Sequence, residues 1–400
     1  MSSSVTLTAA TRQNLLSLQD TAALTATTQN RLSTGLKVSS ALDNPVNFFT
    51  SQSLSQRSGD LGNLLDGISN GIQAIQSANQ GITSIQKLVD QAKSVANQAL
   101  STQITTTGTA SSAFSPSTAA ATINLYVNGN STTVSVAANG SIDDAVGALN
   151  AKLGAGSFSK STDGTKIVMN ASADVEFKDT ASQVALGFSA GTASSGPTYG
   201  TSTLSTVASQ SSDLTVAGVT ARASLATQYN SLLTQIDQLA GDSSYNGVNL
   251  INGKNDNNNL TINFNPRGNS NLTVTATDET SSGLGLKAIT NKSVATTGTG
   301  QGNFLLNADI NTTLNSLTAA SSQLRTDAST FGSNLSVVQN RQDFSKNLIN
   351  VLDTGSSNLT AADLNAEAAN SQALTTRQSL GISALSLANQ AQQGILQLLR

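Results

Sequence analysis

The chain contains no cysteine, no histidine and no tryptophan, and proline stands at four positions only. Without cysteine there is no disulfide framework, no zinc–thiolate centre and no thiol nucleophile. Without histidine the commonest general base and the commonest zinc ligand are gone as well. Charge is scarce too: Asp, Glu, Lys and Arg make up 11% of the 400 residues, against about 25% in an average globular domain. Ser, Thr, Asn, Gln and Gly must therefore cover the surface. The net charge of −3 comes without any basic block, so the electrostatic footprint of a nucleic-acid or anionic-membrane binder is missing. No apolar run reaches membrane-spanning length. The opening "MSSSVTLTAATRQNLL" lacks a charged n-region followed by an apolar h-region, so no cleavable secretory signal is expected. By these rules the chain stays in the cytosol or leaves by a route that needs no such signal.

The few prolines divide the sequence. They fall at Pro45, Pro116, Pro197 and Pro266, and because proline breaks helix interiors the two ends are free to be helical. Leu15, Leu18, Ala22, Leu32 and Leu36 follow a three–four apolar spacing. A longer stripe runs through Leu61, Leu65, Ile68, Ile72, Ile75, Ala78, Ile82, Ile85, Val89, Ala92, Ala96 and Ala99, the pattern of a coiled-coil seam with one local irregularity near Ile75. Late in the chain Leu225, Tyr229, Leu232, Ile236 and Leu239 form one stripe; Leu314, Leu317, Leu324, Ala328, Phe331, Leu335, Val338, Ile349 and Leu352 form another. The plain reading of such stripes is amphipathic helices folding on each other.

The middle, about Ser101 to Ser205, differs in kind. "TINLYVNGNSTTVSVA" is two alternating runs about an Asn-Gly turn, a hairpin signal. "SIDDAVGALNAKL" predicts a short helix with Ser141 as N-cap and Asp144 closing a capping box. "GTKIVMNASADVEFKD" supplies two more strands, giving a β-β-α-β-β insert. A second hairpin is expected between Leu260 and Asp278. The last helix ends on an uncovered apolar stripe of Ile382, Leu385, Ile395, Leu396 and Leu399. The expected fold class is thus mainly α with an inserted β-rich domain, the N- and C-terminal helices pairing as a coiled-coil-like bundle core, the hairpin and the α+β insert outward. Three domains follow: 1–47 with 355–400, a terminal helical domain; 48–105 with 206–354, a coiled-coil-like domain carrying the hairpin at 260–278; and a variable, surface-exposed insert at 106–205.

A search for chemistry finds no catalytic site, no cofactor site and no metal site. "GVNLINGKN" approaches a phosphate-binding loop, but its spacing is one residue too long and Asn follows Lys254 where Ser or Thr should sit; a Gly/Asn turn fits better. Asp143 and Asp144 are adjacent and diverge on a helix, where first-turn carboxylates favour the dipole. Asp278–Glu279 is expected to end a strand in solvent. "DNNNLTINFN" has oxygen ligands at Asp256 and Asn258 but lacks the glycine and closing Glu of a calcium loop.

Several long motifs nevertheless resemble one family. "NRLSTGLKVSSALDNPVNFF" (30–49), "YNGVNLING" (245–253), "FGSNLSVVQNRQDF" (331–344) and "LTAADLNAEAANSQALTTRQSLGISALSLANQAQQGILQLLR" (359–400) resemble, in that order, segments of bacterial flagellins. The resemblance covers the two ends of the chain and not its middle. It implies an extracellular subunit of the flagellar filament that self-assembles into a helical homopolymer for swimming motility. It also implies unfolded type III export with a chaperone at the C-terminus, and contact with hook-associated and cap proteins. A hook–filament junction protein is the alternative. No enzyme activity, nucleic acid or membrane insertion is implied, and a metalloprotease insert is closed off by the lack of histidine. On this reading Leu15, Leu18, Leu32, Leu36, Leu364, Ile382, Leu385, Ile395, Leu396 and Leu399 pack the filament core. Leu65, Ile68, Ile72, Ile75, Ile82, Ile85, Val89, Leu324, Phe331, Leu335 and Val338 form the coiled-coil seam. Two departures from the family pattern stand out. Gln392 replaces a common proline, which should straighten or extend the last helix. In the patch resembling the site read by a vertebrate innate receptor, Gln86 keeps the family's Gln, while Lys87, Val89, Asp90 and Gln91 stand where it has Arg, Arg, Glu and Leu. Val89 cannot make the planar bidentate contact of an arginine, so weak or absent recognition is expected.

Overall fold

A computed structural model describes residues 9–127, 130–191, 211–253, 258–289, 304 and 307–398. The chain divides into two compact units, one comprising Met1–Ser69, Asn263–Asn271 and Val338–Arg400, the other Asn70–Ile262 and Leu272–Val337. The expected boundaries lay near 47 and 354; the division instead falls at 69/70 and 337/338, within α2 (Pro45–Ser101) and α6 (Asn307–Thr360), which run unbroken through both sets of points.

In the first unit, α1 (Ala9–Thr34) pairs with α7 (Leu364–Leu398). Helix α2 opens as its sequence dictates: Asn44 Oδ1 accepts from Asn47 N at 3.1 Å, and Pro45 takes the first helical position, where its missing N–H costs nothing. Just before it, Asp43 accepts from the backbone N–H groups of Ser39 and Ser40, both at 2.9 Å; these bonds hold its carboxyl below the usual carboxylate range. Polar side chains tie α2 to α6 here, with Ser356 hydroxyl-bonded to Ser51 and Ser55 at 2.8 and 2.9 Å and Gln342 donating to Ser69 at 2.9 Å.

The second unit holds the helical seam and the insert. Ile72, Ile75, Ile82, Ile85 and Val89 of α2 are buried, as are Leu324 and Phe331 of α6. Gln86 and Lys93 bond across to Ser321 and Thr318 of α6 at 2.8 and 3.3 Å. Of the remaining seam positions, Ile68 and Val338, in the first unit, are buried, and Leu65 and Leu335 are half-buried. Helix α5 (Val219–Asp242) buries Leu225, Tyr229, Leu233, Ile236 and Ala240. Leu233 thus takes the place expected for Leu232, a one-residue rotation of the stripe that the adjacent leucine pair allowed.

The insert is built from β1 (Thr105–Thr109), β2 (Ala121–Val127), β3 (Asn130–Val136), α3 (Ile142–Leu153), β4 (Phe158–Lys160), β5 (Ile167–Ala171), β6 (Val175–Phe177), α4 (Thr180–Ala185) and β7 (Leu214–Ala217). These form two sheets, ordered β4-β5-β1-β7 and β3-β2-β6, around a core that includes Ile123, Leu125, Leu149, Phe158, Met169 and Phe177. The β2–β3 register runs from Ala121↔Val136 to Val127↔Asn130, the two-residue hairpin expected, with the Asn128–Gly129 turn itself outside the described residues. The capping box is present: Ser141 accepts from Asp144 N at 3.3 Å and Asp144 Oδ2 accepts from Ser141 N at 2.8 Å. Ser141→Ala is expected to lower the insert's stability by about 1 kcal/mol, measured by urea unfolding.

The sheet reaches past the expected 106–205 span at both ends. Strand β1 reads TTTGT and carries no apolar residue; it is recognised only through its partners β5 and β7 and through the buried Thr106 hydroxyl, which donates to Ala173 O at 2.8 Å and accepts from Val175 N at 3.0 Å. After β7 the chain turns at Gly218 with φ +87°, and a side chain there would strike the Gln103 carbonyl; only glycine allows strand and helix to meet so closely.

The second hairpin is β8 (Leu260–Asn263) with β9 (Asn271–Val274). Beyond it comes a correction: Glu279, expected in solvent, is fully buried, because the segment after β9 continues inward along Leu250 and Ile251, with Thr277 N and Glu279 N donating to their carbonyls at 2.8 and 2.9 Å. Lys254 and Asp256 lie outside the described residues.

Candidate functional site

The α1–α7 pair is joined by a tight backbone corner. Arg31 O caps Gly35 N, Leu36 and Ala361 form a bridge, Lys37 N donates to Thr360 O at 2.7 Å and Ala362 N to Gly35 O at 2.8 Å. Gly35 sits at φ +70°, the left-handed conformation common just past a helix end. Arg31 Nη1 bonds Glu367 Oε1 at 3.1 Å across the two helices.

The seam between the helices contains few large apolar residues. On α1 the buried positions are Thr11, Thr21 and Thr28, with Asn14, Leu18, Thr25 and Arg31 half-buried between them. On α7 Glu367 is buried, and Ser371, Leu374, Gln378, Gly381, Leu385 and Ala388 are half-buried. Both sets repeat every three or four residues, a heptad-like seam of small and polar side chains. The helices approach closely at one point: a Cβ on Gly381 would lie 2.7 Å from Leu18 Cδ1.

Most of the large apolar side chains therefore point elsewhere. Leu15, Leu16, Leu24 and Leu32 of α1 and Leu364, Leu380, Ile382 and Leu387 of α7 are all exposed, Leu16 at 58% and Leu387 at 69%. Leu42, Val46 and Phe49 continue this exposure into the start of α2, and Phe344 and Val351 of α6 share it. Leu18 and Leu385 lie in the intrachain seam, and Leu36 sits half-buried at the corner. For Ile395 and Leu396 only the helical backbone is described, and Leu399 lies outside the described residues. Reading the leucine stripe missed the threonine seam, Leu16, Leu24, Leu380 and Leu387; the repeat Thr11-Leu18-Thr25 was a signal for the seam, had threonine been counted as a packing residue. Helix α7 runs unbroken through Gln392.

Large apolar side chains left exposed in this number on several sides of a helix pair mark surface for other proteins to cover rather than a catalytic cleft. Comparison with known proteins says of which kind. The bacterial flagellin N-terminal helical region matches residues 5–130 and the bacterial flagellin C-terminal helical region matches residues 314–399, together more than half of the chain. The chain belongs to the bacterial flagellin family. Among curated flagellins it is 31% identical over 176 residues to Flagellin FljM of Caulobacter vibrioides, a match covering 44% of this chain and 59% of that protein. It is 42% identical over 77 residues to Flagellin C of Rhizobium meliloti, covering 19% and 24%. It is 27% identical over 177 residues to a flagellin of Brucella melitensis, covering 44% and 61%. The chain thus spans about three fifths or less of the length of these relatives. The N-terminal region includes α1 and the C-terminal region includes α7.

The positions compared above with an innate-receptor site are split by the geometry of α2. Val89 is fully buried in the helical seam, whereas Lys87, Asp90 and Gln91 are exposed. Gln86 is half-buried and donates to Asp90 Oδ1 at 3.1 Å and to Ser321 Oγ. No helix among the described residues is long and apolar enough to cross a membrane.

Proposed function

We propose that this flagellin is a structural subunit that self-assembles into the helical filament of the bacterial flagellum, outside the cell, where it serves swimming motility. The observation that carries this reading is the set of large apolar side chains exposed along the α1–α7 pair, whose own seam is mostly small and polar. Each Leu or Ile covered by a neighbouring subunit contributes about 1.5–3 kcal/mol, so a helix pair that is weakly held alone gains its stability from assembly. A head-to-tail interface that does not close on itself produces a fibre. The family resemblance supports unfolded export under a chaperone that takes the C-terminal segment, and contacts with hook-associated and cap proteins at the filament's ends. It is a structural role, without catalysis. With Val89 facing the seam, recognition by the innate receptor is weak or absent; a full-strength response to purified monomer would overturn that.

The experiment is negative-stain electron microscopy of the purified chain seeded with filament fragments, beside a variant lacking 382–400. Long filaments from the full chain and none from the truncation are expected. Short stubs or monomers from both would shift the reading to a hook–filament junction protein, the alternative that shares helical termini.

A further inference from the structure

We propose that the Glu279 carboxyl, buried in its protonated form against Asp327, is a proton-operated clasp that holds the segment 276–289 to α6 and releases it when the carboxyl ionises. Glu279 is wholly removed from solvent; among the described residues no ordinary donor satisfies its two carboxyl oxygens, and the side chain it meets on α6 is another carboxyl, Asp327, which it can bond only by keeping a proton between them. Around it the segment is apolar: Ala276, Leu284, Leu286 and Ile289 are buried. A carboxylate left in such a place without a cation or donor is expensive, and the usual resolution is that it keeps its proton.

The charged groups set against it reinforce that outcome. Helix α6 contributes Asp327 and the segment itself contributes Asp278, both acidic, and among the described residues no lysine or arginine acts on it. Asp278 is engaged with Thr280, whose backbone N–H and hydroxyl donate to its Oδ1 at 3.2 and 2.6 Å. Asp237 of α5 meets the same segment at Ser281, whose N–H and hydroxyl donate to its two oxygens at 2.7 and 3.0 Å. Burial first, then the neighbouring carboxylates, push Glu279 up to about 8. Because the folded value lies above the unfolded one, the stability this group allows is fully present below the ordinary glutamate range and is lost as pH rises through about 8. The clasp belongs to the single chain, whatever the chain assembles into.

The test is amide hydrogen exchange of the full-length protein across that range, corrected for intrinsic rates, with amides of α3 in the insert as internal reference. Protection of the Thr277, Glu279, Leu284 and Leu286 amides, which are bonded to Leu250 O, Ile251 O, Thr280 O and Ser281 O, is expected to fall about tenfold or more relative to the reference between about pH 6 and pH 9. Glu279→Gln, neutral at every pH, should remove the fall. Asp327→Asn, which deletes the facing charge, should move its midpoint to lower pH. Protection that stays flat in the wild type, or a fall that survives unchanged in Glu279→Gln, overturns the proposal. If Glu279→Gln does not fold, an unmoved midpoint in Asp327→Asn overturns it equally.

Discussion

Leu387→Asp is expected to abolish filament formation while leaving the isolated chain folded. Leu387 is 69% exposed, so nothing in its own chain depends on covering it, and the variant should keep the wild-type helical circular dichroism and unfolding midpoint. In a filament the same position would be covered by a neighbour. The substitution then removes an apolar contribution of about 1.5–3 kcal/mol and adds the penalty of burying a carboxylate, several kcal/mol more unless it is paired. Since each 1.4 kcal/mol is tenfold, the critical concentration for assembly should rise by at least about two orders of magnitude. Leu16→Asp on α1 is expected to behave in the same way. Val184→Asp is the control: Val184 is equally exposed, at 59%, but lies on α4 of the insert, and its variant should assemble normally. Sedimentation of seeded polymerisations measures all three. Normal polymerisation of Leu387→Asp and Leu16→Asp would show that this face is not the assembly face.

Arg222→Met should unfold the second unit far more readily, by about 3 kcal/mol or more. Arg222 is buried, and its guanidinium spans three acceptors at once. Nε donates to Thr102 O at 2.7 Å, Nη1 to Phe304 O at 3.1 Å and Nη2 to Asn307 Oδ1 at 2.9 Å. The group thereby ties together the residue following α2, the turn at 304 and the first residue of α6, beside the edge-to-face pair of Tyr229 and Phe304. Burial lowers its pKa, yet arginine stays protonated at any accessible pH. Methionine preserves the volume but leaves buried acceptors unmet, each costing about 1–3 kcal/mol. Arg222→Lys should recover part of the loss and not all of it, because a single ammonium cannot reproduce the three-way fork. Thermal and urea unfolding followed by circular dichroism decide the matter; a change under about 0.5 kcal/mol, typical of unengaged surface sites, would show that the fork is not holding the junction.

Much of this protein was legible in the chain itself. Local rules that act within one element carried over directly. The three–four spacing from Leu61 to Ala99 identified α2 and most of its buried face, and the alternation about Asn128–Gly129 located β2 and β3. Ser141 and Asp144 announced the start of α3, and the motifs at 30–49 and 359–400 led to the flagellin family. In each case the residues concerned interact within a few positions of one another, so their order along the chain already states the outcome.

Tertiary structure decided whatever depends on which surface covers which. Strand β1 has no apolar residue and exists because β5 and β7 flank it with open hydrogen-bonding edges. Leu233 rather than Leu232 is buried because the rotation of α5 is set by its neighbours. Glu279 lies inside because the segment after β9 follows the carbonyls of Leu250 and Ile251, a pairing between distant stretches that no local pattern encodes. The terminal helices make the same point most plainly. Most of their large apolar side chains are exposed, and the contact within the chain runs mainly through Thr11, Thr21, Thr28 and Gly381, the last against Leu18. Periodicity says that a face must be covered, and only packing says by what: small side chains let two helices approach closely, which turns the large ones outward.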